Sequence, residues 1–212
     1  MENIVYSIIK ADCQEISSSL NENGLLEFTI PKNCTDEEFS RYLCSLGAEE
    51  RSKITDKQKK TKEAFRKKVN EMIDKYKKEF DLTLFIKLRL QNKTKKVNDY
   101  NVQIQGIEFN GNLSIISILQ YFPDELVEKI IRCTVYMIAC QYQELYSQVK
   151  GMSVGTFKFP DEEIESKTYK ISEEEKYRIP VPYSEIEKIK TDYEAACNQF
   201  FEDLDKHPIS YI

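Results

Sequence analysis

The sequence predicts an α+β fold, in which a central apolar helix and several amphipathic helices pack on a small antiparallel sheet. Three observations predict it: apolar stripes with helical period, strand-period segments that form hairpins, and one helical segment that is apolar around most of its circumference. Helices and hairpins without regular βαβ alternation are typical of this class. At 212 residues, the chain is expected to form a single domain over 1–212, allowing a substructure of two halves, 1–121 and 122–212.

The first thirty residues predict one helix and one strand. Apolar residues of 3–20, among them Ile4, Val5 and Ile8, recur at helical spacing, and "NENG" at 21–24 ends the pattern. The segment "LLEFTIP" is a short apolar run that Pro31 stops, which indicates a strand. We therefore expect an N-terminal helix followed by a strand.

Two capping boxes predict the next two helices. Thr35 followed by Glu38 starts a short helix, and Thr55 followed by Gln58 starts a longer one over 55–80. The longer helix carries one apolar stripe, which faces the expected core. The stripe consists of Phe65, Val69, Met72, Ile73, Tyr76 and Phe80.

The segment "LTLFIKLRLQ" at 82–91 is the clearest strand, because apolar and other residues alternate strictly. One parity carries Leu82, Leu84, Ile86, Leu88 and Leu90; the other carries Thr83, Phe85, Lys87, Arg89 and Gln91. A returning strand is expected at 101–109, where the parity switches at Gly106 as in a β-bulge. A turn at 110–112 and a short helix at 113–121 follow.

The C-terminal third predicts two helices around a segment of short strands. Residues 124–149 are apolar nearly all round the helix, which is typical of a central, buried helix. Short strands are expected between 154 and 182, and Ser184 with Glu187 caps a last helix. The final segment "HPISYI" is expected to fray, so its removal should leave stability and function intact.

Composition argues against most kinds of active site. The chain has one histidine and six glycines, and it contains no GxGxxG, no P-loop and no short-spaced His or Cys cluster. The sequence therefore favours a non-enzymatic protein with no catalytic residue, no metal and no cofactor. One remote alternative stays open: Asp161, Glu174 and Lys176 match the PD-(D/E)xK pattern of metal-dependent nucleases, although they lie in charged runs where such matches arise easily.

Six scattered cysteines and a plain N-terminus favour a cytoplasmic protein. No CxxC pair occurs, and residues 1–15 lack the basic and small-residue features of a secretory signal. We expect reduced thiols in an intracellular protein. No run of about 18 uncharged apolar residues occurs, so no membrane segment is expected.

The charge is concentrated in one basic block. Residues 51–100 hold 17 Lys and Arg against 7 Asp and Glu, although the whole chain has a net charge of −5. The helix 55–80 and the strand 82–91 have similar lengths, so the strand should fold back and bring the turn "NKTKK" to the start of the helix. We call the cations that would meet there, beside the positive end of the helix dipole, the basic surface. They are Lys57, Lys59, Lys60, Lys62, Arg66, Lys67, Lys93, Lys95 and Lys96.

The basic surface predicts a non-catalytic interaction protein: an adaptor, an inhibitor or a small subunit of an assembly. Its partner would be anionic, either an acidic protein surface or a nucleic-acid backbone. A nucleic-acid-binding protein that uses the same basic surface is the alternative. The competing interpretation is neutralisation inside the protein, by i,i+4 ion pairs such as Glu63 with Lys67, or by the acidic segments 36–50 and 161–175.

Overall fold

The structure, a computed structural model, describes residues 4–80, 82, 84–92, 96–105, 108–152 and 186–211. These residues form four α-helices and seven strands, which confirms the α+β class. The helices are α1 (Asp36–Ser45), α2 (Ala48–Glu79), α3 (Asp124–Met152) and α4 (Ile186–Lys206). The strands are β1 (Val5–Ala11), β2 (Ser17–Leu20), β3 (Leu26–Pro31), β4 (Phe85–Gln91), β5 (Asn98–Gln105), β6 (Glu108–Ile116) and β7 (Ile209–Tyr211).

The strands of the described residues form two small mixed sheets, which corrects the prediction of one antiparallel sheet. One sheet has the order β2-β3-β1-β7 and the other the order β4-β6-β5. Each contains one parallel pair, β1 with β3 and β4 with β6. The short strands expected between 154 and 182, and the cap at Ser184, lie outside the described residues.

The predicted helix over 3–20 is wrong, because this segment forms β1 and β2. The apolar run at its start has both helical and alternating spacing, and its β-branched residues favour a strand when partner strands are available. β1 finds them in β3, where Ile8 lies opposite Phe28, and in β7. The "NENG" segment is the turn between β2 and β3, and Gly24 takes the positive φ of 77° that this turn needs.

The strand and the capping box predicted next are confirmed. Thr35 accepts a hydrogen bond from the backbone of Glu38, and the Glu38 carboxylate accepts one from the backbone of Thr35. The helix α1 that follows packs its aromatic residues on β3. Phe28 makes edge-on contacts with Phe39 and Tyr42, which closes a small hydrophobic cluster on one face of the first sheet.

Helix α2 begins at Ala48, seven residues before the predicted start. Thr55 and Gln58 therefore lie inside the helix and form no capping box, and Gly47 is the residue before the first turn. The predicted apolar stripe is buried except for Met72, which is half-buried. At about 1.5 Å per residue, α2 is roughly 48 Å long, so its first turns reach the first sheet while its last turns pack on α3.

The second sheet corrects the interpretation of 101–109 as one bulged strand. This range contains the end of β5 and the start of β6, which pair antiparallel with Gln105 opposite Glu108. The predicted turn at 110–112 lies inside β6, and of the predicted helix 113–121 only the last turn is helical, as a 3-10 helix over Ser117–Tyr121. Composition alone indicated a turn, because Asn and Gly are typical turn residues. In β6, however, the Asn residues alternate with the inward-facing residues of the strand.

Helix α3 carries buried residues over most of its first four turns and packs against α2, α4 and β5. Asn98 on β5 donates a hydrogen bond to Thr134 of α3 and accepts one from Tyr193 of α4. The larger hydrophobic cluster therefore joins residues from both predicted halves of the chain, from Val5 to Phe200. The assignment of 1–212 to a single domain stays a prediction. Within the described residues, no helix is both long and apolar enough to cross a bilayer.

The C-terminal segment is an edge strand, which contradicts the expectation of a frayed tail. β7 pairs antiparallel with β1, where Ile209 lies opposite Ser7 and Tyr211 opposite Val5. The side chains of Ile209 and Tyr211 pack against the larger hydrophobic cluster. Pro208 ends α4 and positions the chain for this return to the N-terminal strand.

Removing residues 207–212 should therefore lower the free energy of unfolding by about 1–3 kcal/mol, because apolar surface of Ile209 and Tyr211 is exposed and β1 loses one partner. Urea unfolding of the truncated and full-length chains measures the difference. Ser210→Ala, at an exposed position of the same strand, is the matched control and should change stability little. An unchanged unfolding midpoint after truncation would restore the frayed-tail interpretation.

Candidate anion-binding surface

Charged residues towards the C-terminal end of α2 form ion pairs with α3. Lys68 forms an ion pair with Asp124, and Lys75 lies 2.6 Å from the Glu128 carboxylate. Hydrogen bonds from Lys75 and then Tyr76 lower the pKa of Glu128. A third ion pair, 2.7 Å long, joins Glu79 to Arg132 of α3. These contacts orient α3 on α2, whereas Lys77 and Lys78 in the last turn have no carboxylate of the described residues within ion-pair distance.

Three cations earlier in α2 have no such acidic neighbour in the described part of the chain. No carboxylate of the described residues lies within ion-pair distance of Lys57, Lys60 or Arg66. Lys67 lies 3.9 Å from Glu71, and the predicted pair of Lys67 with Glu63 is not formed. Side-chain pairs within the helix therefore leave most of the excess charge unbalanced.

The helical cations of the basic surface surround α2 on three sides. At roughly 100° per residue, Lys60 and Lys67 lie opposite the buried stripe, while Lys59 and Arg66 lie on one flank. Each pair is separated by seven residues, or about 10.5 Å along the axis. Lys57 lies on the other flank, beside the β2–β3 turn, where a Cβ on Gly24 would be 3.5 Å from its Cγ. The surface is thus a convex helix rather than a single cluster at one end.

The strand β4 folds back along α2, and its end meets the basic surface at Lys62, in the middle of the helix and not at its start as predicted. Lys62 is half-buried and donates a 2.8 Å hydrogen bond to the side chain of Asn92, directly after β4. Burial, and then the nearby Arg66 guanidinium, lower the pKa of Lys62. Lys96 is exposed beyond the turn, whereas Lys93 and Lys95 lie outside the described residues.

The helix dipole does not contribute to the basic surface, which corrects the sequence prediction. Because α2 begins at Ala48, Lys57 is its tenth residue and lies about 13 Å from the first turn. The field of a helix end decays within about one turn. The acidic residues Glu49 and Glu50 occupy the first turn instead, as expected for a favourable N-terminus. The potential of the surface comes from the side-chain charges alone.

Of the acidic segments considered as internal partners, 36–50 does not neutralise Lys57, Lys60 or Arg66. Glu49 pairs with Lys53, and no described residue of 36–50 forms an ion pair with those three cations. The segment 161–175 lies outside the described residues, as do the nuclease-like Asp161, Glu174 and Lys176. Among the described residues, no group of three or more His, Cys, Asp or Glu could hold a metal ion.

Gln58 holds this part of α2 against the first sheet, a role that the sequence analysis missed. Its side-chain oxygen accepts a 3.0 Å hydrogen bond from the Val5 amide, and its nitrogen donates to the carbonyls of Val5 and Gly24 at 2.7 and 2.9 Å. Gln58 is one turn after Ile54 and seven residues before Phe65, both buried. The sequence does contain a signal for this role, because Gln58 is a polar residue on the apolar stripe of α2.

The chain matches no protein-family model, no curated protein and no solved structure. What its surfaces bind must therefore be inferred from their own geometry and charge.

Proposed function

We propose that this chain is a non-catalytic interaction protein, an adaptor, an inhibitor or a small subunit of an assembly, that binds an anionic partner through the basic surface. The observation that supports the proposal is a group of cations on α2 that lack a carboxylate partner. Lys68 and Lys75 are paired with carboxylates of α3, whereas Lys57, Lys60 and Arg66 have no described carboxylate in reach. Clustered like charges repel each other and favour an anionic partner that balances them.

An acidic protein surface is the partner that we place first. The cations form two rows on a convex helix, Lys59 with Arg66 and Lys60 with Lys67. The two members of each row are seven residues, or about 10.5 Å, apart. An acidic helix whose carboxylates recur with the same spacing could lie alongside α2 and pair with both rows. Such rim-type charge pairs contribute to association rate and specificity more than to affinity.

Nucleic acid is the second candidate partner. Two further exposed cations, Lys87 and Arg89, lie on β4, the strand whose end contacts Lys62. Neutralising phosphates with Lys and Arg releases counterions, so binding by this route would weaken steeply with salt. The six cysteines form no disulfide, which fits the cytoplasm as the place of either interaction.

Reversing two charges, Lys60→Glu with Arg66→Glu, should weaken binding to labelled poly-glutamate by about tenfold or more. Each substitution removes an attraction to the anionic polymer and introduces a repulsion. Fluorescence anisotropy at low and physiological salt measures the dissociation constant, and a short DNA duplex is the second probe. The matched control, Lys129→Glu with Lys188→Glu, makes the same change in net charge at exposed sites of α3 and α4.

Both double variants should melt at nearly the wild-type temperature, because all four side chains are exposed. If Lys60→Glu with Arg66→Glu instead unfolds the protein, and binding per folded molecule is unchanged, these cations make an internal contact and the proposal is wrong. Equal losses in the control variant would also contradict it, because net charge and not the basic surface would then set the affinity.

A further inference from the structure

The outer face of the second sheet carries none of the apolar residues that bind its inner face to the helices. Register places Lys87 opposite Asn112, and Arg89 opposite Ser114, all on the face away from buried Leu113. Between Phe85 and Arg89, and at the positions of β6 and β5 that pair with them, the side chains of this outer face are exposed or half-buried, whereas Ile116 at the end of the face, opposite Gln91, is buried. The exposed or half-buried side chains are Phe85, Lys87 and Arg89 of β4, Asn110, Asn112 and Ser114 of β6, and Asp99, Asn101 and Gln103 of β5.

Phe85 is the exception to the polar character of this face. Its side chain is 64% exposed, the highest value among the large hydrophobic residues of the described chain. No described aromatic ring packs on it, and its neighbours along the strand, Leu84 and Ile86, are buried on the opposite side. An exposed aromatic ring on a sheet offers a stacking surface to a planar ligand.

The cations beside Phe85 are also unpaired. Lys87 and Arg89 follow it on the same side of β4 at steps of about 6.6 Å. No carboxylate of the described residues lies within ion-pair distance of either. Among the side chains described on this face, the acidic one is Asp99, which lies two strands away from Arg89, at about 10 Å. Positive charge thus follows the β4 edge, beside a row of amides and hydroxyls on β6 and β5.

We propose that this outer face binds single-stranded nucleic acid. Phe85 stacks on one base, Lys87 and Arg89 bind phosphates along the β4 edge, and the side chains of Asn101 and Asn112 hydrogen-bond exposed base edges. An open sheet with an exposed aromatic ring suits unpaired bases, because bases in a duplex present no free stacking face to it. An acidic peptide would account for the two cations but not for the exposed ring and the amides around it.

This inference goes beyond the proposed function and does not depend on it. Its surface is built from β4, β5 and β6 rather than from α2, although Lys87 and Arg89 are also named above for the nucleic-acid alternative, and it commits to one class of partner. A chain that lacked binding at Lys60 and Arg66 could still bind a single strand at Phe85, and the reverse also holds. The two can therefore be tested by separate variants.

The test uses fluorescein-labelled oligo(dT) and oligo(U) of about twelve nucleotides, titrated with the full chain and read by fluorescence anisotropy. Phe85→Ala should weaken binding by about 5- to 150-fold, the range for loss of one stacked base. Phe85→Tyr should preserve binding, because it retains a stacking ring, whereas Phe85→Leu should bind as weakly as Phe85→Ala. Lys87→Ala and Arg89→Ala should each reduce the salt slope of log K by about one.

Two matched controls separate this site from general effects. Phe201→Ala removes an aromatic ring of α4 that is 40% exposed, and Lys188→Ala removes an exposed cation of the same helix. Neither should change binding of the oligonucleotides. Circular dichroism melts check that all variants remain folded, as the exposure of Phe85 predicts.

Several results would overturn the inference. Binding of the oligonucleotide to the wild-type chain is also measured in the presence of two competitors, a duplex of the same sequence and poly-glutamate. Equal binding of duplex and single strand, or equal competition by poly-glutamate, would assign the face to general electrostatic attraction or to an acidic protein. Binding of oligonucleotide that Phe85→Ala leaves unchanged, or no binding by the wild type, contradicts it directly. Loss of a dimer in Phe85→Ala, without oligonucleotide binding, would make the face a self-interface.

Discussion

Truncating Ile131 or Ile138 to alanine should lower the free energy of unfolding by about 2–5 kcal/mol each, the usual cost of deleting a buried aliphatic side chain and leaving a cavity. Both side chains are 0% exposed, on the helix that packs against α2, α4 and β5. Urea or guanidinium unfolding, followed by circular dichroism, measures the loss. This is the largest effect that we expect from an apolar substitution in α3.

A matched control makes the same chemical change at the surface. Ile9→Ala on β1, where the side chain is 47% exposed, should cost less than about 1 kcal/mol, since little apolar surface returns to water. Ile131→Val should fall between the two, at about 0.5–1.5 kcal/mol. Similar losses for Ile131→Ala and Ile9→Ala would mean that α3 is not held in a close-packed core.

The elements that the sequence predicts well are those whose signals are local. The capping box of Thr35 and Glu38 fixes the start of α1 by hydrogen bonds between neighbours in the chain. The alternation in 82–91 places Leu84 and Ile86 in the core and Phe85 outside it, because one strand has only two faces. No distant residue has to be known for either prediction.

The N-terminal strands could not be predicted for the opposite reason. The apolar residues near Val5 fit both a helix and a strand, and the choice depends on partners that the sequence places far away. One partner is β3, and the other is β7, whose Ile209 lies about two hundred residues later in the chain. For the same reason a short tail that follows a proline indicated a frayed end, although it completes the sheet.

The candidate site shows the same division between local and distant information. Element lengths predicted that the end of β4 returns to α2, and Asn92 does contact Lys62. Tertiary ion pairs, such as Lys75 with Glu128, were not predictable, because they require the packing of α3 on α2. The start of α2 was misplaced because a capping-box pattern inside a longer helix has the same residues as a true cap.

Replacing Gln58 by alanine should lower the free energy of unfolding by about 2–4 kcal/mol, although the residue is polar and belongs to a helix with a charged surface. Gln58 is buried, and its three hydrogen bonds satisfy the Val5 amide and the carbonyls of Val5 and Gly24. Leaving a buried backbone group unsatisfied costs about 1–3 kcal/mol. Asn70→Ala, at an exposed position of the same helix, is the control and should change stability by less than about 0.5 kcal/mol.

Gln58→Glu separates hydrogen bonding from packing, because it retains the shape of the side chain. The carboxylate can still accept from the Val5 amide, but ionised it cannot donate to either carbonyl. Burial and two facing carbonyl oxygens should raise the pKa of this carboxyl in the folded state above its unfolded value. The protonated form can donate, so the variant should be most stable relative to wild type below about pH 4, and should lose that stability as pH rises through the folded pKa. Unfolding measured from acid to neutral pH tests the sign. A Gln58→Glu variant whose stability relative to wild type does not depend on pH would show that this side chain is solvated, and that α2 is not held to the first sheet at Gln58.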